Sequence, residues 1–244
     1  MSARFFVAQD LQCQTEIVLP QAIAHHIRVL RLETGNMITL FNGQGGEYHA
    51  NLSALNKQHA VARILKFTPY ERELPIRITL AQALASGNKM DWLIEKAVEL
   101  GVSAIQPLHT SRCVVKLSGQ RAEQRVRHWQ ELVHAACEQC GRNQIPRVAA
   151  IQPLKDWLYA SAPTIQNGLL LSPQGQLSLH QSAISMKNVS EFTLLVGPEG
   201  GFSTEEEDLA HQNNFLSTHL GERILRCETA GLAAIAGLTA LLNS

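Results

Sequence analysis

Leu194-Leu-Val-Gly-Pro-Glu-Gly-Gly-Phe-Ser203 decides how the chain is read. Its start belongs to a largely apolar run, Phe192–Val196, of strand length. Runs of this kind are strands buried on both faces, as in parallel sheets. The run enters a loop with three glycines and a proline, and Ser203-Thr-Glu-Glu206 then spells a capping box opening a helix to about Asn213. Strand, loop and helix make the repeating unit of an α/β domain. Glycines at a strand's carboxyl end let backbone N–H and C=O groups approach a ligand without a Cβ in the way. Open parallel sheets bind ligands at that edge. A tight turn alone needs neither three glycines nor a rigid proline.

The pattern extends in both directions. Downstream, a strand over Phe215–His219 leads into Leu220-Gly-Glu-Arg-Ile-Leu-Arg-Cys-Glu-Thr-Ala-Gly231 and a last helix, Thr229–Leu242, with Thr229 as its N-cap. Upstream, strands are predicted at Ile76–Leu84, Ala104–Leu108 and Gly168–Leu171. A helix over Asn88–Gly101 carries Met90, Leu93, Ile94, Ala97 and Val98 on one face. A long helix from about Gln120 to Cys140 sets Val126, Trp129, Val133, Ala136 and Cys140 at helical spacing. The alternation stops at Thr68-Pro-Tyr-Glu-Arg-Glu-Leu-Pro75, a polar linker bracketed by prolines. Before it the reading is mostly strands, Arg4–Val7, Met37–Phe41, Tyr48–Leu55 and Ala60–Phe67, with a hairpin at Asn42-Gly-Gln-Gly-Gly46. One helix interrupts them, from Pro20 through Ile23, Ile27 and Leu30, with Gly35 beyond its end. The expected division is 1–70, a small β-rich domain, and 71–244, an α/β domain.

Composition narrows the function. The chain has 244 residues, 45% of them apolar, so a sizeable core forms and disorder is excluded. Twenty-one Lys+Arg balance 21 Asp+Glu, which excludes a polycation but not a local nucleic-acid surface. From His109 to Arg147 the basic residues Arg112, Lys116, Arg121, Arg125, Arg127, Arg142 and Arg147 outnumber Glu123, Glu131 and Glu138 by four. No apolar stretch reaches the roughly 20 residues of a membrane span. Five cysteines without framework spacing suit reduced thiols in the cytoplasm. No dinucleotide-binding G-x-G-x-x-G follows a strand, and neither a P-loop, H-E-x-x-H nor G-x-S-x-G is present. Cys137-Glu-Gln-Cys140 is a lone CxxC on the long helix, read as helix packing, and the His25-His26 pair cannot easily chelate one ion; no metal is expected.

Five segments in order carry a resemblance covering nearly the whole chain: His26-Ile-Arg-Val-Leu-Arg31, Lys96-Ala-Val-Glu-Leu-Gly-Val102, Glu138-Gln-Cys-Gly-Arg142 with Pro146 after it, Gly197-Pro-Glu-Gly-Gly201 and Ile224-Leu-Arg-Cys-Glu-Thr-Ala230. Together they resemble the SPOUT class of S-adenosylmethionine-dependent RNA methyltransferases, most closely the bacterial 16S rRNA (uridine-N3)-methyltransferase family, whose target is uridine 1498. The resemblance implies an N-terminal PUA-like β-barrel and a mostly parallel sheet whose last segments thread a trefoil knot.

It further implies S-adenosylmethionine held by three loops: Leu171 and Ser172; Gly197, Pro198, Glu199, Gly200 and Gly201; and Leu220, Gly221, Ile224, Leu225 and Arg226. Arg142 and Arg226 become candidates for stabilising a uracil anion, with Glu138 and Glu228 as their ion-pair partners or as proton acceptor. His26, Arg28, Arg31, Arg112, Lys116 and Arg121 become candidate RNA contacts. A homodimer is expected, with Leu232, Ile235, Ala236, Leu238, Thr239 and Leu242 of the last helix as either its packing face or intramolecular core, and 16S rRNA within the small ribosomal subunit as partner. Two alternatives stand beside this reading: a knotted methyltransferase for another RNA position, and a ribosome-assembly factor that binds RNA without catalysis.

Overall fold

A computed structural model describes residues 2–56, 59–161, 165–186 and 190–242. The chain packs as two units: Met1–Glu73 with Cys137–Ile145, and Leu74–Ala136 with Pro146–Ser244.

The first unit holds β1 (Ala3–Phe6), β2 (Glu16–Leu19), α1 (Gln21–Val29), β3 (Met37–Phe41), β4 (Glu47–Leu55) and β5 (Ala60–Thr68). They form one sheet of order β1-β3-β4-β5-β2, antiparallel except for β1 beside β3. Alternate residues Ala60, Ala62 and Ile64 of β5 face a core that also takes Phe5, Leu40, Leu52 and, from α1, Ile23 and Ile27. The reading of the sequence passes over β2. It is an edge strand of four residues whose outward Val18 is 62% exposed, so apolar side chains on both faces hide its period of two. The glycine turn before β4 is required by space as well as by φ: a Cβ on Gly46 would lie 2.4 Å from the Phe67 ring.

Helix α1 ends earlier than expected. Arg31 N donates to Arg28 O and Leu32 N to Ile27 O, the double bond of a Schellman motif. The left-handed residue is therefore Arg31, at φ 56°, and not Gly35, which lies in the turn towards β3.

The second unit contains β6 (Arg77–Ala83), α2 (Lys89–Glu99), β7 (Ala104–His109), α3 (Gly119–Cys140), β8 (Arg147–Val148), β9 (Gln152–Pro153), α4 (Leu154–Ser161), β10 (Gly168–Leu171), β11 (Leu177–Ser178), α5 (Leu179–Ser185), β12 (Glu191–Val196), α6 (Thr204–Gln212), β13 (Phe215–His219) and α7 (Cys227–Leu242). The last turn of α3 packs with the first unit. All pairings are parallel, in the order β11-β13-β10-β12-β6-β7-β8, with β9 also beside β7. Leu169, Leu170, Leu194 and Leu195 are wholly buried because helices cover both faces. Leu171 stands beside both Val196 and Thr218, so β10, β12 and β13 end level and their loops leave from one edge.

Two details differ from expectation, and a third divides an open alternative. On α3 the buried stripe is Trp129, Val133, Ala136 and Cys137, while Cys140 is only half-buried. Helix α7 starts at Cys227, so Thr229 lies inside the first turn and its N–H bonds to Arg226 O instead of capping. Leu232, Ile235 and Leu238 of α7 are buried within this chain, and Thr239 Oγ1 donates to Ile235 O at 2.9 Å. The face offered for dimer packing is thus split: Leu232, Ile235 and Leu238 serve this chain's own core, Thr239 and Leu242 are half-buried, and Ala236 is exposed.

Candidate functional site

The level ends of β10, β12 and β13 open into a cavity of about 540 Å³. Its lining brings together all twelve residues expected to hold a ligand: Leu171 and Ser172, Gly197 to Gly201, and Leu220, Gly221, Ile224, Leu225 and Arg226. The loops are held by backbone as much as by side chains. Ser172 N donates to Thr218 O at 3.0 Å, and Gly175 lies flat on β13, where a Cβ would sit 2.6 Å from the Thr218 carbonyl carbon. Phe202 plugs the end of the glycine loop into the core. A Cβ on Gly197 would meet the Phe202 ring at 3.2 Å, so a larger residue there displaces the plug before it reaches the cavity.

Glu199 is placed unlike the rest of its loop. Its Oε1 accepts Ser86 N at 3.0 Å, Ser86 Oγ at 2.7 Å and Lys89 Nζ at 2.8 Å. Burial alone would push this carboxyl up; the Lys89 and Ser86 hydrogen bonds outweigh it and hold the group at about 2. Glu199 is thus a strut to the turn between β6 and α2. Lys89 itself lines the cavity. Neither Ser86 nor Lys89 belongs to a resembling segment, yet the signal was available: Ser86-Gly-Asn-Lys89 follows a predicted parallel strand and precedes a helix, the same edge as the other loops.

A second strut joins the glycine loop to the segment after β7. Arg112 Nη1 donates to Gly200 O at 3.0 Å, and Ser111 N donates to Glu206 Oε1 at 2.7 Å. Glu206 also closes the expected capping box, accepting Ser203 N at 2.9 Å.

The four candidates for chemistry separate. Arg226 is exposed on the cavity wall, and among the described residues its guanidinium has no hydrogen-bond or ion-pair partner. Glu228, also in the lining, does not pair with it. Glu228 Oε2 accepts the Cys227 thiol at 3.2 Å and lies 3.9 Å from Lys89 Nζ. Burial and the Glu228 hydrogen bond push the Cys227 thiol up to about 12, so it stays protonated.

Arg142 and Glu138 pack with the first unit and are not in the cavity lining. Arg142 is only 4% exposed and grips Glu73 with two nitrogens, Nε to Oε1 at 3.0 Å and Nη2 to Oε2. Glu138 Oε1 accepts Phe6 N at 2.8 Å instead of orienting Arg142. Burial pushes the Glu138 carboxyl up, against the Phe6 N–H bond. The adjacency of these residues in one sequence segment concealed partners 69 and 132 positions away.

The basic stretch is smaller than its charge count. Arg125 pairs with Asp91 at 3.0 Å, Arg127 with Glu123 at 3.8 Å, and Arg142 is buried. Arg112, Lys116 and Arg121 remain exposed in the second unit. In the first, Arg31 and His26 are exposed, the His26 ring standing edge-on to Phe5, and Arg28 is half-buried. Among the described residues no group of three His, Cys, Asp or Glu is placed to hold a metal ion, and no helix is long and apolar enough to cross a membrane.

A cavity at the edge of a parallel sheet, in a chain that also carries a small β domain, is matched by known proteins. The family model for the RNA methyltransferase domain matches residues 72–239, and that for the RNA methyltransferase PUA domain matches 19–65. A ribosomal RNA small subunit methyltransferase E from Synechocystis is 34% identical, covering 100% of this chain and 79% of that protein; one from Bacillus subtilis is 29% identical over 97% and 95%. The crystal structure of a ribosomal RNA small subunit methyltransferase E from Neisseria gonorrhoeae, bound to S-adenosyl methionine, superposes with a TM-score of 0.91 at 39% identity, covering 99% and 98% of the two chains. The chain belongs to the ribosomal RNA small subunit methyltransferase E family.

Proposed function

We propose that the chain transfers the methyl group of S-adenosylmethionine to N3 of a uridine in 16S rRNA, the family-consistent target being uridine 1498. The observation that carries this is the cavity into which three loops, twelve residues implied by the resemblance, converge at the edge where parallel sheets bind ligands. Its volume lies within the roughly 300–1,000 Å³ of small-molecule sites. Leu171, Val196, Leu220 and Leu225 would give the cofactor apolar walls, and the glycine loop would offer it backbone groups. When bound, the cofactor supplies a methyl group on a cationic sulfur.

The chain's own residues must deal with uracil. Its N3 proton ionises well above neutral pH, so the base becomes a nucleophile only if the proton leaves or the charge spreading onto O2 and O4 is stabilised. Arg226, exposed in the cavity and without a partner among the described residues, is the donor for that charge. Glu228 accepts the proton. The departing thioether is neutral and needs no acid. Arg142 and Glu138 are assigned to holding the first unit together.

Exposed Arg112, Lys116 and Arg121 contact rRNA phosphates, as do His26, Arg28 and Arg31 of the first unit. The protein acts in the cytoplasm as a homodimer, on rRNA within the small subunit. The trefoil knot belongs to the same proposal. Mapping methylated nucleotides in rRNA from cells with and without the gene tests the reaction: loss of one 3-methyluridine supports it, and an unchanged map refutes it. A fully active monomer by light scattering would refute the dimer.

A further inference from the structure

Three charged side chains from separate elements meet in the cavity lining. Lys89, first residue of α2, lies 2.8 Å from Glu199 of the glycine loop and 3.9 Å from Glu228 in the first turn of α7. Ser86 and Cys227 complete the hydrogen bonds of the two carboxylates. Arg223, Arg226 and Glu207 also line the cavity, but none forms an ion pair with the trio among the described residues. Two carboxylates around one ammonium leave a net charge of −1.

We propose that Glu199, Lys89 and Glu228 read the charge of the cofactor, favouring the cationic sulfonium donor over the neutral thioether that remains after methyl transfer. The inference rests on the cavity being the S-adenosylmethionine site. Donor and product share adenosine, ammonium and carboxylate, and differ by one methyl group and one positive charge at sulfur. A net negative trio in a cavity partly withdrawn from water interacts with that charge more strongly than bulk water would allow. The preference helps to expel product, because the attraction ends when the methyl leaves. Lys89 is the moderating member: without it the trio would stand at −2 and hold the donor more tightly. It is a positioning residue for Glu199 and an electrostatic one for the ligand.

A purely mechanical role, bracing the glycine loop against the turn after β6, makes a different prediction. Loosening the loop weakens both ligands alike. The ratio of their dissociation constants therefore separates the two roles, since losses common to both ligands cancel. Titration calorimetry should measure S-adenosylmethionine and S-adenosylhomocysteine against wild type, Glu228→Gln and Lys89→Met, with melting curves to verify folding. Neutralising Glu228 should lower the preference for the donor by about three- to tenfold, and neutralising Lys89 should raise it by a similar factor. Both shifts should shrink at high salt. Ratios that stay constant, or move the same way in both variants, overturn the proposal. A wild-type protein that binds neither nucleoside overturns the cofactor reading itself, and the inference with it.

Discussion

Arg142→Ala tests whether this buried arginine is structural. The guanidinium is 4% exposed and makes a two-pronged bond to Glu73, whose side chain is 20% exposed. Truncation removes both prongs and leaves a mostly buried carboxylate without its counter-charge. Breaking a buried pair in this way costs about 3–5 kcal/mol. Residual access of water to Glu73 places the expected loss near the lower figure, about 3 kcal/mol. If the chain melts in one transition, that lowers Tm by about 6–12 °C. Arg142→Lys should recover little, because a single ammonium cannot reproduce the planar fork. Arg142→Met combined with Glu73→Met should recover much of the loss, since the unpaired charge is gone. Arg226→Ala is the contrast: the arginine is exposed and has no partner among the described residues, so its loss should shift Tm by less than about 2 °C while turnover falls roughly 100-fold or more. Scanning calorimetry, S-adenosylmethionine titration and methylation of rRNA on the same preparations decide the matter. Unchanged melting of Arg142→Ala with turnover abolished would refute the reasoning, and so would wild-type turnover in Arg226→Ala.

Four further outcomes are expected. Glu199 is held at about 2 against an ordinary 4.5, so its stabilisation is complete above pH 4.5 and drains as pH falls towards 2; the melting difference between wild type and Glu199→Gln should narrow over that window, and a constant difference would remove the clamp from the account. Burial pushes Cys137, like Cys227, up to about 12, so brief iodoacetamide treatment of the native protein should label Cys13 and Cys140 first by mass spectrometry, with Cys137 and Cys227 labelled only on unfolding. Gly197→Val should weaken S-adenosylmethionine binding together with a stability loss of about 1–3 kcal/mol, because Phe202 has to move; lost affinity at unchanged Tm would instead place the valine in the ligand's space. Arg31→Gly relieves a left-handed arginine and should raise Tm slightly, by about 1–3 °C. The same variant should weaken rRNA binding and reduce its salt dependence by about one phosphate contact in filter-binding assays. A fall in both stability and affinity would contradict that trade.

Much of this protein was legible in one dimension because the relevant physics is local. Apolar runs such as Phe192–Val196 announce doubly covered strands, and Ser203 with Glu206 announces a helix start three residues long. Loops at strand ends could be ranked as ligand sites without coordinates, since parallel strands in one sheet present their carboxyl ends on one edge. The glycine loop was read that way from its residues, the other two loops came from the family resemblance, and all three line one cavity. The failures were failures of partnership. Sequence neighbours suggested Glu138 for Arg142 and Glu228 for Arg226, but charged groups pair across space with whatever the packing delivers. Packing delivered Glu73 to Arg142, the Phe6 N–H to Glu138, and Lys89 with Cys227 to Glu228. Packing also decided that Leu232, Ile235 and Leu238 of α7 face inward, an alternative hydropathy left open because that helix is apolar on nearly every side. For the longer elements, type follows from residues a few positions apart and the sequence alone determined it, whereas short pieces such as β2, α4 and α5 carry too few residues to show a period. Which charge is spent on stability and which is left open to a ligand depends on contacts between residues tens of positions apart, and only the tertiary structure decided that.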